Sequence, residues 1–490
     1  MAQLTVNTKF GRVEGILQQG VRVWRGLPYA KPPVGELRFQ APAEPEAWEG
    51  IRKADKFGPI SIQPANEMAG LFGEDPAPEP SEDCLYLNVW APEETGGTPL
   101  PVMVWIHGGA FVTGSGSIPV YDGSKIAREG SVIVVSLNYR LGILGFLHTG
   151  FLGEGFTSNA GLLDQIAALR WVRGNIAAFG GDPDRVTVFG ESAGSMSIAA
   201  LLAMPEAKGL FRQAIMQSGA SQAMPEPMAR SITGGLLALL GIKPEEAGRL
   251  KTVTVQQLAE AAGELRKRFG GNNLALLQQP VIDGNTLPLE PLEAIRAGAA
   301  KDIPLLIGTN HDEGALFIGP DAPVMEEGEL LKAMEMMTGV AGEAAAAVAR
   351  HYPRTAAGQA QIMTDLYFWR SSVQFAAEQS RFAPVWMYRF DWTNQAHPLL
   401  MQAIHAGEIM FVFDNLELLG NLGVQADDSA KALARQMLGA WTAFASHGAP
   451  AVEGSVWPAY EMPERATFIF NNHSEAVNDP DAAKRTMLGL

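Results

Sequence analysis

The chain has 490 residues, 47% hydrophobic and 18% charged, enough apolar material for a large core and too much for a disordered chain. Its 37 Lys and Arg against 53 Asp and Glu leave a formal charge of −16, a surface that repels phosphate backbones and anionic lipid heads and argues against nucleic-acid or membrane partners. The single cysteine, Cys84, excludes an internal disulfide and a cysteine-based zinc site.

Residues 1–15 hold no apolar run of signal-peptide length, and no stretch of about 18 apolar residues occurs, so a cytoplasmic protein is expected. Short β-prone stretches at 4–6, 13–17 and 21–24, with breaks around Gly11 and Gly20, predict an antiparallel start. Pro32, Pro33 and Pro42 mark a fixed loop over 29–43, and the Pro-, Glu- and Gly-rich stretch 65–82 reads as a surface excursion. Continuous apolar runs at 101–106 and 132–136 read as parallel strands covered on both faces. Leu162, Ile166, Leu169, Val172 and Ile176 recur at helical spacing and predict a helix over 162–179, stopped by Gly180 and Gly181. A strand at 186–189 and a helix from Gly194 to Met204 follow, with further strands at 214–216, 304–307 and 385–388. Strands alternating with helices in this way predict a mainly parallel α/β sheet. Two helical stretches, about 227–269 and 325–382, interrupt the later strands. Because strands resume after each, they are expected to be insertions over one end of the sheet, within a single domain spanning 1–490.

The chemistry concentrates at Gly190-Glu191-Ser192-Ala193-Gly194, between the 186–189 strand and the next helix. A sharp strand-to-helix turn there lifts the serine hydroxyl to the carboxyl edge of the sheet, and flanking glycines avoid a clash. A serine hydroxyl needs a base to become nucleophilic, and the base needs an acid to hold its tautomer. On such a scaffold they follow in the order serine, acid, histidine. Downstream lie His311, His351, His397, His405, His447 and His473. His405 stands in a small-residue loop after the 385–388 strand and is the preferred base. His311 shares its loop with the acid candidates, and His351 lies in a helical stretch. The acid follows the 304–307 strand, where Asp312 and Glu313 both qualify. His107-Gly108-Gly109-Ala110 follows the 101–106 strand and is the candidate loop for binding an oxyanion through backbone N–H groups. Phe111, Met196 and Phe317 lie near these segments and are candidates for an apolar substrate pocket. Singly, each feature has a plain structural reading as a glycine turn, a helix cap or a core side chain. Their agreement in order and strand context favours catalysis.

The segments FGGDPDRVTVFGESAG (179–194), EDCLYLNVWAP (82–92), GLPYAKPPVGELRF (26–39), LNYRLG (137–142) and GLLDQ (161–165) carry a resemblance over most of the chain. It is to the type-B carboxylesterases. The resemblance implies an α/β-hydrolase fold and a serine esterase that cleaves small to medium carboxylic esters through an acyl-enzyme. It implies no metal or cofactor and a small-molecule ester as partner; a monomer is favoured, with the oligomeric state left open by the sequence. It selects Glu313 over Asp312 and supports His405. It makes the N–H groups of Gly109, Ala110 and Ala193 the oxyanion donors, and gives Ser218 a hydrogen bond to the acid. Glu191, beside the nucleophile, is placed to tune the imidazolium. Many members pair the counterpart of Cys84 with a cysteine where Ser61 stands, so Cys84 is expected to be a buried thiol. A base near the ordinary histidine value of about 6.5 predicts activity falling in acid. Two other readings belong to the same fold. A lipase-like hydrolase of longer acyl chains needs an apolar lid, for which the helical insertions leave room. A non-catalytic binding member lacks a competent triad, whereas Ser192, Glu313 and His405 are all present.

Overall fold

The computed structural model describes residues 4–65, 78–94, 96–269 and 277–490, so the surface excursion expected at 65–82 lies largely outside the described residues. Among those residues one sheet has eleven strands. They are β1 (Ile16–Gln18), β2 (Val21–Pro28), β3 (Tyr86–Pro92), β4 (Leu100–Ile106), β5 (Ile133–Leu137) and β6 (Gly181–Glu191). The series continues with β7 (Gln213–Gln217), β8 (Leu305–Asn310), β9 (Val385–Phe390), β10 (Ala466–Phe470) and β11 (Glu475–Asn478). Their spatial order is β11-β10-β9-β8-β7-β6-β4-β5-β3-β2-β1. From β10 through to β5 every neighbouring pair is parallel. The pairs at the two margins are antiparallel. The central strands are apolar almost throughout because helices cover both faces: all five residues of β5, and all of β4 after Leu100, are buried.

The β-prone run read over 13–17 is two strands. Gly11–Glu14 pairs with Thr5–Thr8 and Ile51–Lys53 in a small separate sheet, and β1 joins the main one. Gly15 is the break, where a Cβ would run into the Val23 carbonyl and the Trp24 ring. The helix expected over 162–179 is α1 (Ala160–Asn175) with a 3-10 turn to Phe179, and Gly180 ends it at a φ of 96°. The elbow serine is followed by α2 (Ala193–Ala203). The 20-residue helix α3 (Asp428–His447) was not foreseen. Its signals were nonetheless present: the Asp427 side chain caps the Ala430 N–H, Gly448 ends the helix at a φ of 78°, and Leu433, Met437, Ala440, Trp441 and Phe444 form its buried stripe.

Between β7 and β8 stand helices Glu226–Leu239 and Val255–Phe269 with a 3-10 segment between them. Between β8 and β9 a chain of short helices runs from Glu327 to Gln379 and includes a π-helical segment, Met363–Trp369. Register aligns the carboxyl ends of the central strands: Ile106 faces Gly190, and Gln217 faces both Glu191 and Gly308. The loops after β4, β6, β7 and β8 therefore open at one edge.

One buried ion pair ties the segment after β5 to α1. Arg140 donates from Nε and Nη2 to the two oxygens of Asp164 at 2.7 Å each, and both side chains are almost wholly buried. Asp164 also accepts the Arg140 backbone N–H at 3.0 Å. Replacing one partner leaves the other charge in the core without compensation. The substitution Asp164→Ala is expected to lower unfolding stability by about 3–5 kcal/mol in urea titration, far more than loss of an exposed pair.

Candidate active site

Ser192 takes φ 54° and ψ −121°, a backbone conformation sparsely populated by residues other than glycine. The glycines on either side are required by space. A Cβ on Gly190 would stand 2.6 Å from the Ile106 carbonyl oxygen, and one on Gly194 would overlap the same atom. The turn is anchored by the Ser192 N–H donating to Gln217 O at 2.9 Å. The hydroxyl thus sits between the end of β6 and the N-terminus of α2, where free N–H groups gather.

Ninety-two residues separate Glu313 from His405 in sequence, and their side chains meet: Nδ1 of His405 lies 2.6 Å from a Glu313 oxygen. Both side chains are buried, and the carboxylate, which can only accept, requires the proton on Nδ1. The other Glu313 oxygen accepts the Asn310 N–H at 2.7 Å. Asp312 points elsewhere, accepting from Ala403 N at 3.1 Å and standing 2.9 Å from His311. Of the downstream histidines only His405 is buried; His311, His351, His447 and His473 are exposed, and His397 is half-buried.

The free nitrogen of His405, Nε2, faces Glu191 at 3.0 Å. Among the described residues no hydrogen bond joins it to the Ser192 hydroxyl, although Ser192 is the next residue along from Glu191. A third buried carboxylate, Glu408, accepts from Gln217 at 3.0 Å and from Asn310 at 2.7 Å. Burial pulls the imidazole pKa down, but the surrounding carboxylates Glu191, Glu313 and Glu408 outweigh it and hold His405 above the ordinary histidine value. Burial, reinforced by Glu408 and Glu313, pushes the Glu191 carboxyl well up despite the opposing imidazole. Sequence spacing did not reveal these three carboxylates around one ring, and together they favour a base above the ordinary value near 6.5.

The candidate oxyanion loop has three consecutive left-handed residues, Gly109, Ala110 and Phe111, at φ 106°, 55° and 62°. A Cβ on Gly109 would collide with the Thr113 carbonyl, and one on Gly108 would lie 2.8 Å from Glu191 O and 3.1 Å from the Ser192 Cβ. The loop therefore lies against the elbow. Among the described residues the N–H groups of Gly109, Ala110 and Ala193 are not spent on any acceptor of the chain.

The pocket candidates separate. Phe111 is fully buried against Phe146, with ring centres 4.7 Å apart, and is core. Met196 is also buried, its sulfur 4.0 Å from the Tyr367 hydroxyl. Phe317 is 46% exposed, with its ring 5.1 Å from that of His405. Phe368, which the sequence reading missed, is closer to the imidazole at 4.6 Å. It reaches the site from the π-helical segment inside the later helical stretch, far from any motif. Ser218 is buried at φ 54°, but its hydroxyl makes no hydrogen bond, so the expected bond to the acid is not formed here. Cys84 is a buried thiol beside Ser61, and burial and the nearby Asp164 carboxylate push its pKa up to about 12. Among the described residues no group of three or more His, Cys, Asp or Glu is arranged to hold a metal ion, and no helix is long and apolar enough to cross a membrane.

A family model described as the carboxylesterase family matches residues 2–487. The para-nitrobenzyl esterase of Bacillus subtilis (strain 168) is 50% identical over 489 residues, covering 100% of this chain and 99% of that protein. The fumonisin B1 esterase of Sphingopyxis macrogoltabida is 38% identical, with 94% of this chain and 85% of that protein covered. A solved thermophilic PNB esterase superposes with a TM-score of 0.95 at 50% identity, covering 99% of each chain. The fold is accordingly that of the α/β-hydrolases.

The electrostatics predict a pH profile. The imidazole accepts a proton only when neutral, and its raised pKa keeps it protonated to higher pH. The acid limb of kcat/KM is expected above pH 6.5, and Glu191→Gln, by removing a charge that favours imidazolium, is expected to move that limb to lower pH. A pH–rate series on both proteins measures the shift.

Proposed function

We propose, from the premise that the chain belongs to the carboxylesterase family and is a carboxylic ester hydrolase, that Ser192 is its nucleophile, His405 its base and Glu313 its acid. The observation that carries this reading is the buried 2.6 Å contact of Glu313 with His405, at the sheet edge that also bears the strained Ser192. In the first step Nε2 of His405 leaves Glu191, by a small turn of the ring about its Glu313 bond, and takes the Ser192 proton. Such bonds are commonly long or misaligned before substrate binds. The serine oxygen attacks the ester carbonyl, and the new oxyanion is held by the N–H groups of Gly109, Ala110 and Ala193. The C–O bond to the alcohol then breaks as His405 returns the proton to the leaving oxygen. Water, deprotonated by His405, then attacks the acyl carbon, and the bond to Ser192 Oγ breaks as His405 returns that proton to it, releasing the carboxylic acid and restoring the free serine. Glu313 holds the ring and compensates the imidazolium throughout.

The substrate is a small to medium ester. The name of the B. subtilis relative supports an aromatic alcohol group, and Phe317 with Phe368 offers it aromatic faces beside the imidazole. Glu191 acts on the base rather than on the ester. The chain acts as a single cytoplasmic domain with two helical insertions, a monomer being the favoured state, and without nucleic acid, the last supported by its charge of −16.

Three measurements test this. Ser192→Ala should lower kcat by on the order of 10⁶ on p-nitrophenyl esters, and the unsubstituted chain should be labelled by one equivalent of an organophosphate. A variant that retains appreciable turnover would remove Ser192 from the mechanism. Across p-nitrophenyl esters of graded acyl length, kcat/KM should be highest for short to medium chains, with no rise above the solubility limit.

A further inference from the structure

His107 opens the oxyanion loop, and the reaction as proposed gives it no part. It is wholly buried and its ring stacks on Tyr139, with centres 4.4 Å apart and planes 20° from parallel. Its Nδ1 lies 2.7 Å from the Gly108 carbonyl oxygen. A carbonyl only accepts, so Nδ1 carries the proton. The other nitrogen, Nε2, is buried with no partner, which fits a bare lone pair and excludes a second exposed base. Burial pulls the ring's pKa down to about 4, against the opposing bond to Gly108, so it is neutral at neutral pH.

The surroundings keep this bond in place. The Tyr139 hydroxyl donates to the His107 carbonyl at 2.8 Å. Gly114 passes directly over the bond at φ 107°, where a Cβ would stand 2.5 Å from Nδ1 and 2.6 Å from Gly108 O. Gln63 clamps Gly114 from both sides, accepting its N–H at 2.8 Å and donating to its carbonyl at 3.0 Å. The Gly108–Gly109 peptide is trans. In a planar trans peptide the C=O and the N–H point in opposite directions, so fixing the first aims the second. The second is the N–H of Gly109.

We propose that His107 is a positioning residue of the oxyanion hole: its Nδ1–H holds the Gly108 carbonyl and thereby aims the Gly109 N–H at the developing oxyanion. This rests on the reading of Gly109 as an oxyanion donor. The bond acts on the transition state and not on ester binding, so its loss appears in kcat and leaves KM in place. Asparagine at 107 can keep a donor, because its Nδ2 branches from Cγ where Nδ1 does; leucine has the same branching and no donor. Both forfeit the ring stack, so their difference reports the polar donor at this position rather than the lost aromatic contact.

The experiment compares His107→Leu, His107→Asn and the unsubstituted chain on an ester and its thionoester, whose sulfur accepts hydrogen bonds poorly. The expected result is a fall in kcat of about 30-fold for His107→Leu, with KM within about twofold and a reduced preference for the ester, while His107→Asn stays within about threefold. The positioning role is overturned if the two variants behave alike, whether both keep or both lose activity, while the unsubstituted chain still prefers the ester. An unsubstituted chain with no such preference removes the oxyanion reading itself, and the role of His107 with it. Nitrogen-15 spectra of the unsubstituted chain at neutral pH should show the His107 proton on Nδ1. A proton on Nε2 overturns the proposal even if a variant fails to fold.

Discussion

The contact between Glu313 and His405 joins two loops that leave neighbouring parallel strands, one at the end of β8 and the other after β9. Several further bonds hold the same pair of loops together. Asn310 donates to Glu313 through its backbone and to Ile404 O and Glu408 through its side chain. Asp312 and Ala403 exchange backbone and side-chain hydrogen bonds. The imidazole is therefore built into the sheet edge with little freedom except rotation about its own ring. That leaves only the turn of the ring from Glu191 to Ser192 before proton transfer, so little rearrangement adds to the barrier.

Burial of several acidic groups around that ring has a cost that the fold meets with hydrogen bonds and with the imidazole itself. Glu408 accepts from two side-chain amides, and Gln217 is in turn held by the Trp441 N–H at 3.0 Å. Glu191 Oε1 makes no hydrogen bond and lies 3.0 Å from His405 Nε2, so the imidazole compensates it only by charge. Charges kept in a low-dielectric interior act strongly on their neighbours, so this arrangement shifts the base more than any exposed pair would. The helix α3 enters here, since Trp441 reaches the site from it. A helix with no motif residue of its own thus supports the electrostatics of the centre.

Much of the fold was legible because parallel strands covered on both faces announce themselves as short apolar runs, and β4, β5 and β6 do so. The elbow was legible because two glycines at fixed spacing about a serine, between a strand and a helix, have few other uses. The acid was not. Asp312 and Glu313 are adjacent, of the same chemistry and both past the strand, and only the direction of the two side chains separates them; here the family likeness, not the spacing, pointed to Glu313. Strands β10 and β11 and helix α3 were overlooked because they lie beyond the last motif, although α3 carries clear caps.

What the sequence determined by itself is local: residue types, their order, the glycines that permit the turns, and the strand context that lends a serine its meaning. These are properties of short range, set by backbone sterics and hydrophobic periodicity. Tertiary structure decided which carboxylate faces the imidazole, how many acids surround it, that Phe368 stands against it, that Phe111 is core, and that the Ser218 hydroxyl stays unpartnered. Each of these depends on burial and on distances between residues far apart in the chain, and spacing along a sequence carries neither.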